Sequence, residues 1–139
     1  MFVPKDVNTA AHASRVVIVD DDEDVRTALE SLVESMGHEA RGFASADALF
    51  GSPLLDDADC VITDLQMQGM TGLDLARRLR DAAGPPVILV TAFPAVGIAR
   101  PARQAEVRCF LRKPLDPLKL IDALARILNG DPRPCGTLA

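Results

Sequence analysis

The sequence predicts a single α/β domain in which a doubly wound, five-stranded parallel sheet carries helices on both faces. Short apolar segments rich in β-branched residues alternate five times with segments whose apolar residues recur at helical spacing. The breaks between them are short and rich in glycine and proline, as in βαβ units. A chain of 139 residues can bury a core of this size without disulfides or a structural metal.

The first two strand–helix units are predicted close to the N-terminus. Strand 15–19 leads into a helix that ends at Gly37 and whose apolar residues, counted from Val25, fall at i, i+3, i+4, i+7, i+8 and i+11. A weaker strand is expected near 39–43. Ser45 is a suitable N-cap for the short helix that follows, which stops at a glycine–serine–proline turn.

The other three units are less uniform. The fourth helix, at 95–104, is predicted to be irregular or mobile because Gly97 and Pro101 fall inside it, and an interior proline costs a helix about 3 kcal/mol. An uninterrupted helix across this segment would contradict the prediction. The remaining predicted elements are strands at 60–63, 87–90 and 107–111 and helices at 73–82 and 116–128.

Composition disfavours several classes of function. The net charge of −5 and the pI near 4.9 argue against direct binding to nucleic acid, whose phosphates are held mainly by lysine and arginine. No stretch approaches the roughly 20 apolar residues that cross a membrane, and the N-terminus lacks the apolar segment of a signal peptide. Residues 14–129 are therefore expected to form a cytoplasmic domain between flexible tails at 1–13 and 130–139.

The cysteines Cys60, Cys109 and Cys135 are predicted to be reduced. They are odd in number, the first two lie in apolar, strand-like segments, and none has metal-ligand spacing. Neither a disulfide nor a zinc site is expected.

Polar side chains follow four of the predicted strands at the point where each strand ends. These are Asp20 and Asp21, Asp64, Thr91 and Lys113. Each alone has an ordinary explanation, such as a helix start for the acidic run or a surface position for the lysine. Their joint placement instead indicates a binding site, because the carboxyl ends of parallel strands meet at one edge of the sheet, where open α/β folds bind their ligands.

The predicted site favours metal-assisted phosphorylation of an aspartate. Two carboxylates about 4 Å apart repel by about 4 kcal/mol at an effective dielectric constant of 20, so three of them need protons or a cation. Oxygen ligands without histidine or cysteine select Mg²⁺ or Mn²⁺, and His12 and His38 are poorly placed to contribute. Asp64 is then the candidate nucleophile, with Lys113 and Thr91 contacting phosphoryl oxygens.

On these residues the chain resembles the receiver domain of bacterial two-component response regulators, from about residue 14 to 129. The pairs Val25-Arg26 and Thr91-Ala92, together with Met67 and Gly72, also fit the family pattern. The matching functional positions are the acidic pair Asp20 and Asp21, the phosphoacceptor Asp64, the switch hydroxyl Thr91, the lysine Lys113 and the switch aromatic Phe110.

The resemblance implies a flavodoxin-like fold with strand order 2-1-3-4-5 and a phosphoaccepting signalling domain rather than an enzyme. It implies that Mg²⁺ is bound by Asp21, Asp64 and the carbonyl of Gln66, with Asp20 acting largely through water. A sensor histidine kinase is the implied phosphodonor. Phosphorylation would draw Thr91 toward the phosphoryl group and turn Phe110 inward, which would change the surface of the fourth helix, fifth strand and fifth helix.

The last predicted helix has an apolar arc of about half its circumference, wider than the usual ~100°. The excess indicates a homodimer or a downstream partner at this face, although a more deeply covered helix explains it equally well. The predicted core stripe is Leu118, Ile121, Ala125 and Leu128, and Leu120, Leu124 and Ile127 widen the arc.

Three departures from the family pattern leave every catalytic group in place. Gln68 stands where proline is usual, and with Gly69 it predicts a looser loop beside the phosphoacceptor. The disturbed fourth helix is the second departure. The third is the segment 105–107, which replaces a small, glycine-containing turn before the fifth strand.

Other functions remain open at this point. An aspartyl-phosphate phosphohydrolase normally needs a further acid/base aspartate, and the residue two after Asp64 is Gln66. A flavin-binding electron carrier needs a phosphate-binding loop after the first strand, where the acidic run would repel the flavin phosphate, and the chain has no Trp or Tyr. A pseudo-receiver that works by binding alone is a further alternative.

Overall fold

The computed structural model describes residues 14–92 and 97–136, so the predicted tail at 1–13 lies outside the described residues. The described part contains six strands, five α-helices and a 3₁₀-helix at Pro53–Asp57. The strands are β1 (Arg15–Val19), β2 (Glu39–Phe43), β3 (Cys60–Asp64), β4 (Val87–Thr91), β5 (Cys109–Arg112) and β6 (Cys135–Gly136). The helices are α1 (Glu23–Ser35), α2 (Ala46–Phe50), α3 (Gly72–Asp81), α4 (Ala99–Gln104) and α5 (Pro117–Leu128).

The strands form one parallel sheet in the order β2-β1-β3-β4-β5-β6. The predicted order 2-1-3-4-5 is confirmed, and a short sixth strand extends it at the β5 edge. Strands β1, β3 and β4 are buried along almost their whole length. Burial on both faces explains why they read in the sequence as continuous apolar runs rather than as alternating ones.

The helices cover the two faces of the sheet and enclose two apolar cores. Helices α1 and α5 pack on one face, against alternate residues of the strands that include Ile18, Ile62 and Cys109. Helices α2, α3 and α4 pack on the other face, against the intervening residues, among them Phe110. Alternation of side chains along each strand thus divides the core between the two layers of helices.

Polar caps begin the main helices. Asp22 accepts hydrogen bonds from the backbone N–H groups of Asp24 and Val25 at the start of α1. Thr71 and Asp74 form a reciprocal capping box at the start of α3. These caps satisfy amide groups that have no partner within the helix, and they fix the residues at which α1 and α3 begin.

Helix α4 is short and irregular at its start, as the sequence predicts. Gly97 has a φ of +84° and belongs to a turn that precedes Ala99. Pro101 is the third residue of the helix, a position whose N–H has no intrahelical acceptor in any case, so the proline is accommodated there. An uninterrupted helix across 95–104 is therefore absent, although residues 95 and 96 lie outside the described part of the chain.

The segment before β5 takes an unusual turn. Glu106 has a φ of +60°, in the left-handed region that favours glycine, and its N–H donates to the carbonyl of Arg103. The N–H of Val107 donates to the carbonyl of Ala102. A glutamate thus forms the turn in the segment 105–107, where the resemblance to receiver domains led us to expect a glycine-containing turn.

The C-terminal segment differs from the prediction. Cys135–Gly136 form β6 rather than part of a flexible tail, and the N–H of Cys135 donates to the carbonyl of Arg108 at 3.0 Å. Cys135 is also joined to Cys109 by a disulfide, so the prediction that both are reduced is wrong. The two cysteines are register partners on adjacent parallel strands, which brings their side chains together. Cys60 is free and buried, as predicted.

Helix α5 is rotated relative to its predicted orientation. Leu118 is 74% exposed and Ala125 is also exposed, so the predicted core stripe is wrong at these positions. The residues that face the core are Leu120, Ala123, Leu124 and Ile127. No helix in the described ranges is long and apolar enough to cross a membrane.

Candidate functional site

The register of the sheet brings the predicted polar residues to one edge. Val19 pairs with Thr63, and Asp64 pairs with Val90. Asp20, the residue after β1, therefore lies level with Asp64, and Thr91 lies one residue beyond that level at the end of β4. Lys113 follows β5, and its N–H donates to the carbonyl of Thr91 at 2.8 Å, which fixes the lysine beside the end of β4.

Three carboxylates meet at this edge. Asp20, Asp21 and Asp64 each offer one oxygen atom, and these atoms all lie within 4.8 Å of one another. Asp20 is buried, the side chain of Asp64 is 12% exposed, and Asp21 is exposed. The cluster therefore extends from the interior of the domain to its surface, and it is accessible to solvent at Asp21.

Asp20 is fixed at three points. Its N–H donates to the carbonyl of Phe43 at 3.1 Å, its Oδ1 accepts from the N–H of Asp22 at 2.9 Å, and its carbonyl oxygen accepts from Arg26 Nη1 at 2.7 Å. Burial raises the pKa of the Asp20 carboxyl, against the opposing effects of the Asp22 N–H and of Lys113. Removal from water thus makes the charged form of this carboxylate costly.

Lys113 is the cation of the site. Its Nζ lies 3.0 Å from Asp64 Oδ2 and 3.6 Å from Asp20 Oδ2. Burial alone would lower the pKa of Lys113, but the hydrogen bond and charge of Asp64, with those of Asp20, outweigh it and raise the pKa. The lysine is therefore charged at neutral pH and offsets part of the repulsion among the carboxylates.

The loop after β3 surrounds Asp64. The N–H of Gln66 donates to Asp64 Oδ1 at 3.3 Å, and the N–H of Gly72 donates to the carbonyl of Leu65 at 2.9 Å. A Cβ atom at Gly72 would lie 2.9 Å from the Asp64 carbonyl carbon and 2.9 Å from Leu89 Cδ1, and closer still to the Asp64 carbonyl oxygen. Close approach of two backbones, rather than a turn, thus requires glycine at this position.

The two predicted switch residues are buried beside the site. Thr91 ends β4 and is fully buried, next to the strand that carries Phe110. Phe110 is also fully buried, within the core that α3 and α4 cover. The aromatic ring is therefore already inside the domain in this structure, and its inward turn on phosphorylation stays a prediction, as does metal binding by the Gln66 carbonyl.

The structure adds two features that the sequence did not point out. Arg26, recognised only as part of a family pattern, contacts the backbone of Asp20. An apolar groove of about 420 Å³ runs between α1 and the loop after β5 and reaches Asp64 and Lys113. Its walls include Val25, Leu32 and Leu115, whose proximity depends on how α1 and the β5–α5 loop pack, which spacing alone does not reveal.

Comparison with known proteins identifies the family. The family model described as response regulator receiver domain matches residues 16–125. This chain belongs to the response regulator receiver domain family. Receiver domains of two-component systems have the flavodoxin-like fold with strand order 2-1-3-4-5, which the described sheet shares. The acidic cluster, Asp64 and Lys113 all lie within the matched part of the receiver domain.

Relatives and solved structures agree with this assignment. The sensory/regulatory protein RpfC of Xanthomonas campestris pv. campestris is 37% identical over 116 residues, which are 80% of this chain and 16% of that protein. The transcriptional regulatory protein FixJ of Azorhizobium caulinodans is 34% identical over 115 residues, or 82% of this chain and 54% of that protein. The chain thus spans about half or less of these relatives. A response regulator receiver protein from Pseudomonas putida is 32% identical with a TM-score of 0.73, covering 83% of this chain and 98% of that one.

Proposed function

We propose that this receiver domain accepts a phosphoryl group on Asp64 from a sensor histidine kinase. The observation that carries the proposal is the position of the Asp64 carboxylate, with Oδ2 held by Lys113 Nζ at 3.0 Å and with Asp20 and Asp21 beside it. A lysine ammonium within reach of the acceptor oxygen can stabilise a phosphoryl oxygen as charge develops. The domain is thus a phosphoacceptor in a signalling pathway rather than an enzyme with a separate substrate.

The transfer needs a simple exchange of bonds. An oxygen of Asp64 attacks the phosphorus of a phosphohistidine, the phosphorus–nitrogen bond breaks, and the imidazole retains its electron pair and takes up a proton. The product is an acyl phosphate on Asp64. Lys113, which contacts Asp64 Oδ2 before the reaction, then pairs with a phosphoryl oxygen, and the Thr91 hydroxyl contacts another.

The donor set at the site fits Mg²⁺, or Mn²⁺, which would be held by Asp20, Asp21, Asp64 and the carbonyl of Gln66. Oxygen atoms within 4.8 Å of one another can surround a single small cation, and the cluster consists of carboxylates only, which hard divalent ions prefer. When bound, the cation would neutralise phosphoryl and carboxylate charge and orient the phosphate. Lys113 offsets one of the three carboxylate charges, which leaves the site attractive to a cation.

The surfaces around the site suit two partners. The apolar groove between α1 and the β5–α5 loop reaches Asp64, so a kinase that docks there would place its phosphohistidine near the acceptor. We define the output face as α4, β5 and α5. It carries the exposed Leu118, beside a groove of about 700 Å³ that Phe110 also lines, and it is proposed to bind a second copy or a downstream partner. FixJ is a transcriptional regulatory protein, which supports a role of this chain in controlling an output domain. We propose that this control takes place in the cytoplasm.

The test is intact mass after incubation with acetyl phosphate and Mg²⁺. A gain of one phosphoryl group, about 80 Da, is expected for the native chain and for Asp81→Asn, a matched variant at an exposed carboxylate. No gain is expected for Asp64→Asn or with a chelator. Transfer that persists in Asp64→Asn would overturn the assignment, and absence of transfer from both acetyl phosphate and a phosphorylated kinase would favour a binding module instead.

A further inference from the structure

Arg26 lies next to the acidic cluster and takes no part in the proposed phosphoryl transfer. Arg26, in the first turns of α1, reaches back past the helix start and donates from Nη1 to the carbonyl oxygen of Asp20 at 2.7 Å. A hydrogen bond from a charged guanidinium is stronger than one between neutral groups. It acts on the backbone between β1 and α1, which is the segment that presents both Asp20 and Asp21.

The path of the Arg26 side chain depends on Gly42 in β2. A Cβ atom at position 42 would lie 2.8 Å from Arg26 Cγ and 2.9 Å from Arg26 Cδ. Real Cβ atoms do not approach carbon this closely, so any larger residue would displace the arginine stem. The same Cβ would lie 3.0 Å from Glu30 Cδ, one helical turn further along α1. Gly42 therefore provides the space through which Arg26 reaches the loop.

Arg26 donates its hydrogen bond to a carbonyl oxygen rather than to a carboxylate, which affects how many carboxylate oxygens are available to a cation. An arginine paired with Asp20 or Asp21 would compete with a cation for carboxylate oxygens. Bonded to the carbonyl, it restrains the loop and leaves those oxygens available. Two further hydrogen bonds hold the same residue, one from the Asp20 N–H to the carbonyl of Phe43 and one from the Asp22 N–H to Asp20 Oδ1. With the contact from Arg26, they fix Asp20 on three sides.

We propose that Arg26 is a positioning residue for divalent cation binding, with Gly42 as its required packing partner. The inference rests on the proposed function, since the cation site is part of that function. Arg26 holds the backbone turn at Asp20 so that the carboxylates of Asp20 and Asp21 converge with that of Asp64. Loss of the contact lets the turn rotate, which separates the oxygens without removing any of them.

The experiment is a Mg²⁺ titration of the ¹⁵N-labelled full chain, followed by the amide shifts of Asp21 and Asp64. Arg26→Gln is expected to weaken Mg²⁺ binding roughly tenfold or more, as loss of groups that orient metal ligands does elsewhere. Arg26→Lys should recover part of the affinity. Gly42→Ala should reproduce the weakening although it removes no charge. The matched control is Arg41→Gln, which removes one exposed positive charge from β2 and should leave the affinity unchanged.

The same spectra show whether each variant is folded. Gly42→Ala and Arg26→Lys keep the test decisive if Arg26→Gln does not fold. At saturating Mg²⁺ the phosphorylation rate of Arg26→Gln should approach that of the native chain, which a general structural defect would not allow. Equal Mg²⁺ affinities in Arg26→Gln and the native chain would overturn the inference, as would equal losses in Arg26→Gln and Arg41→Gln. A native chain that binds Mg²⁺ and gains a phosphoryl group keeps the proposed function in either case.

Discussion

Replacing Gly72 by alanine is expected to disturb both stability and phosphorylation. Gly72 is the buried first residue of α3, and its N–H donates to the carbonyl of Leu65. An added Cβ would lie 2.9 Å from the Asp64 carbonyl carbon and 2.9 Å from Leu89 Cδ1. The leucine can change rotamer, but the Asp64 carbonyl group is backbone, so either β3 or the start of α3 must shift.

The expected change in unfolding free energy for Gly72→Ala is the difference between two opposing effects. Overpacking a tight site costs about 1–3 kcal/mol, and a clash with backbone belongs at the upper end of that range. Alanine recovers up to about 1 kcal/mol over glycine through helix propensity. A net loss of about 2 kcal/mol is expected, which lowers the Tm of a domain of this size by roughly 8 °C. The same shift displaces the Asp64 carboxylate from Lys113 and slows phosphoryl gain.

The assay pairs urea unfolding with the initial rate of mass gain from acetyl phosphate. Gly51→Ala is the matched control, because an added Cβ there would make an ordinary contact of 3.4 Å at a φ of −82°. Its unfolding midpoint and phosphorylation rate should match the native chain. If Gly72→Ala unfolds at the same urea concentration as Gly51→Ala and accepts phosphate equally fast, the argument from close backbone approach is refuted.

Three further predictions concern charge and the disulfide. Because burial raises the pKa of Asp20 above its usual value of 3.8, the folded state binds this proton more tightly than the unfolded state does, and stability falls as pH rises from 3.8 through the folded pKa. Metal-free Asp20→Asn should lack this fall in melts between about pH 3.5 and 7, and an unchanged profile would contradict it. The raised pKa of Lys113 gives stability that is present below 10.5 and lost as pH rises through its folded pKa, so Lys113→Met should show a smaller alkaline loss than the native chain, and its phosphorylation should be at least about tenfold slower. Reduction of Cys109–Cys135, or Cys135→Ser, should lower the unfolding free energy by about 3 kcal/mol because the bond closes a long loop. Reductant should not affect Cys135→Ser, and an equal shift in that variant would show that the loss has another origin.

The edge of the sheet that holds the site was predictable because its position depends on strand ends and topology alone. Asp20, Asp64 and Lys113 each follow an apolar strand, and in a parallel sheet such residues converge whatever the details of packing. The structure gives their separations, with Lys113 Nζ between two carboxylates. Local sequence thus determined which residues meet, while tertiary packing determined how closely.

Features that depend on distant contacts were not predictable in the same way. β6 has two residues beside prolines and shows no periodicity, and its pairing depends on Cys109, which lies 26 residues earlier. The rotation of α5 depends on how the helix sits on the sheet, and its wide apolar arc allowed more than one core face. The contact from Arg26 to Asp20 depends on the reach of a long side chain through a space that Gly42 leaves open. The spacing of residues in the sequence does not determine any of these three features.

β5 belongs to the proposed output face and leads directly into the site, and its side chains alternate between the two cores. It leads directly to Lys113, which contacts Asp64, while Phe110 faces the core under α3 and α4 and Cys109 faces the core under α5. A displacement of Lys113 on phosphorylation would therefore act on both cores through one strand, with no need for a separate route. Position alone does not establish such coupling, since coupling requires two arrangements of the strand that phosphorylation populates differently. β6 bears on that requirement, because it pairs with β5 at Cys109 and Phe110 and is bonded covalently to the former. A second arrangement of β5 would have to carry β6 with it or break their pairing, so a switch that moves β5 would also involve Cys135 and Gly136.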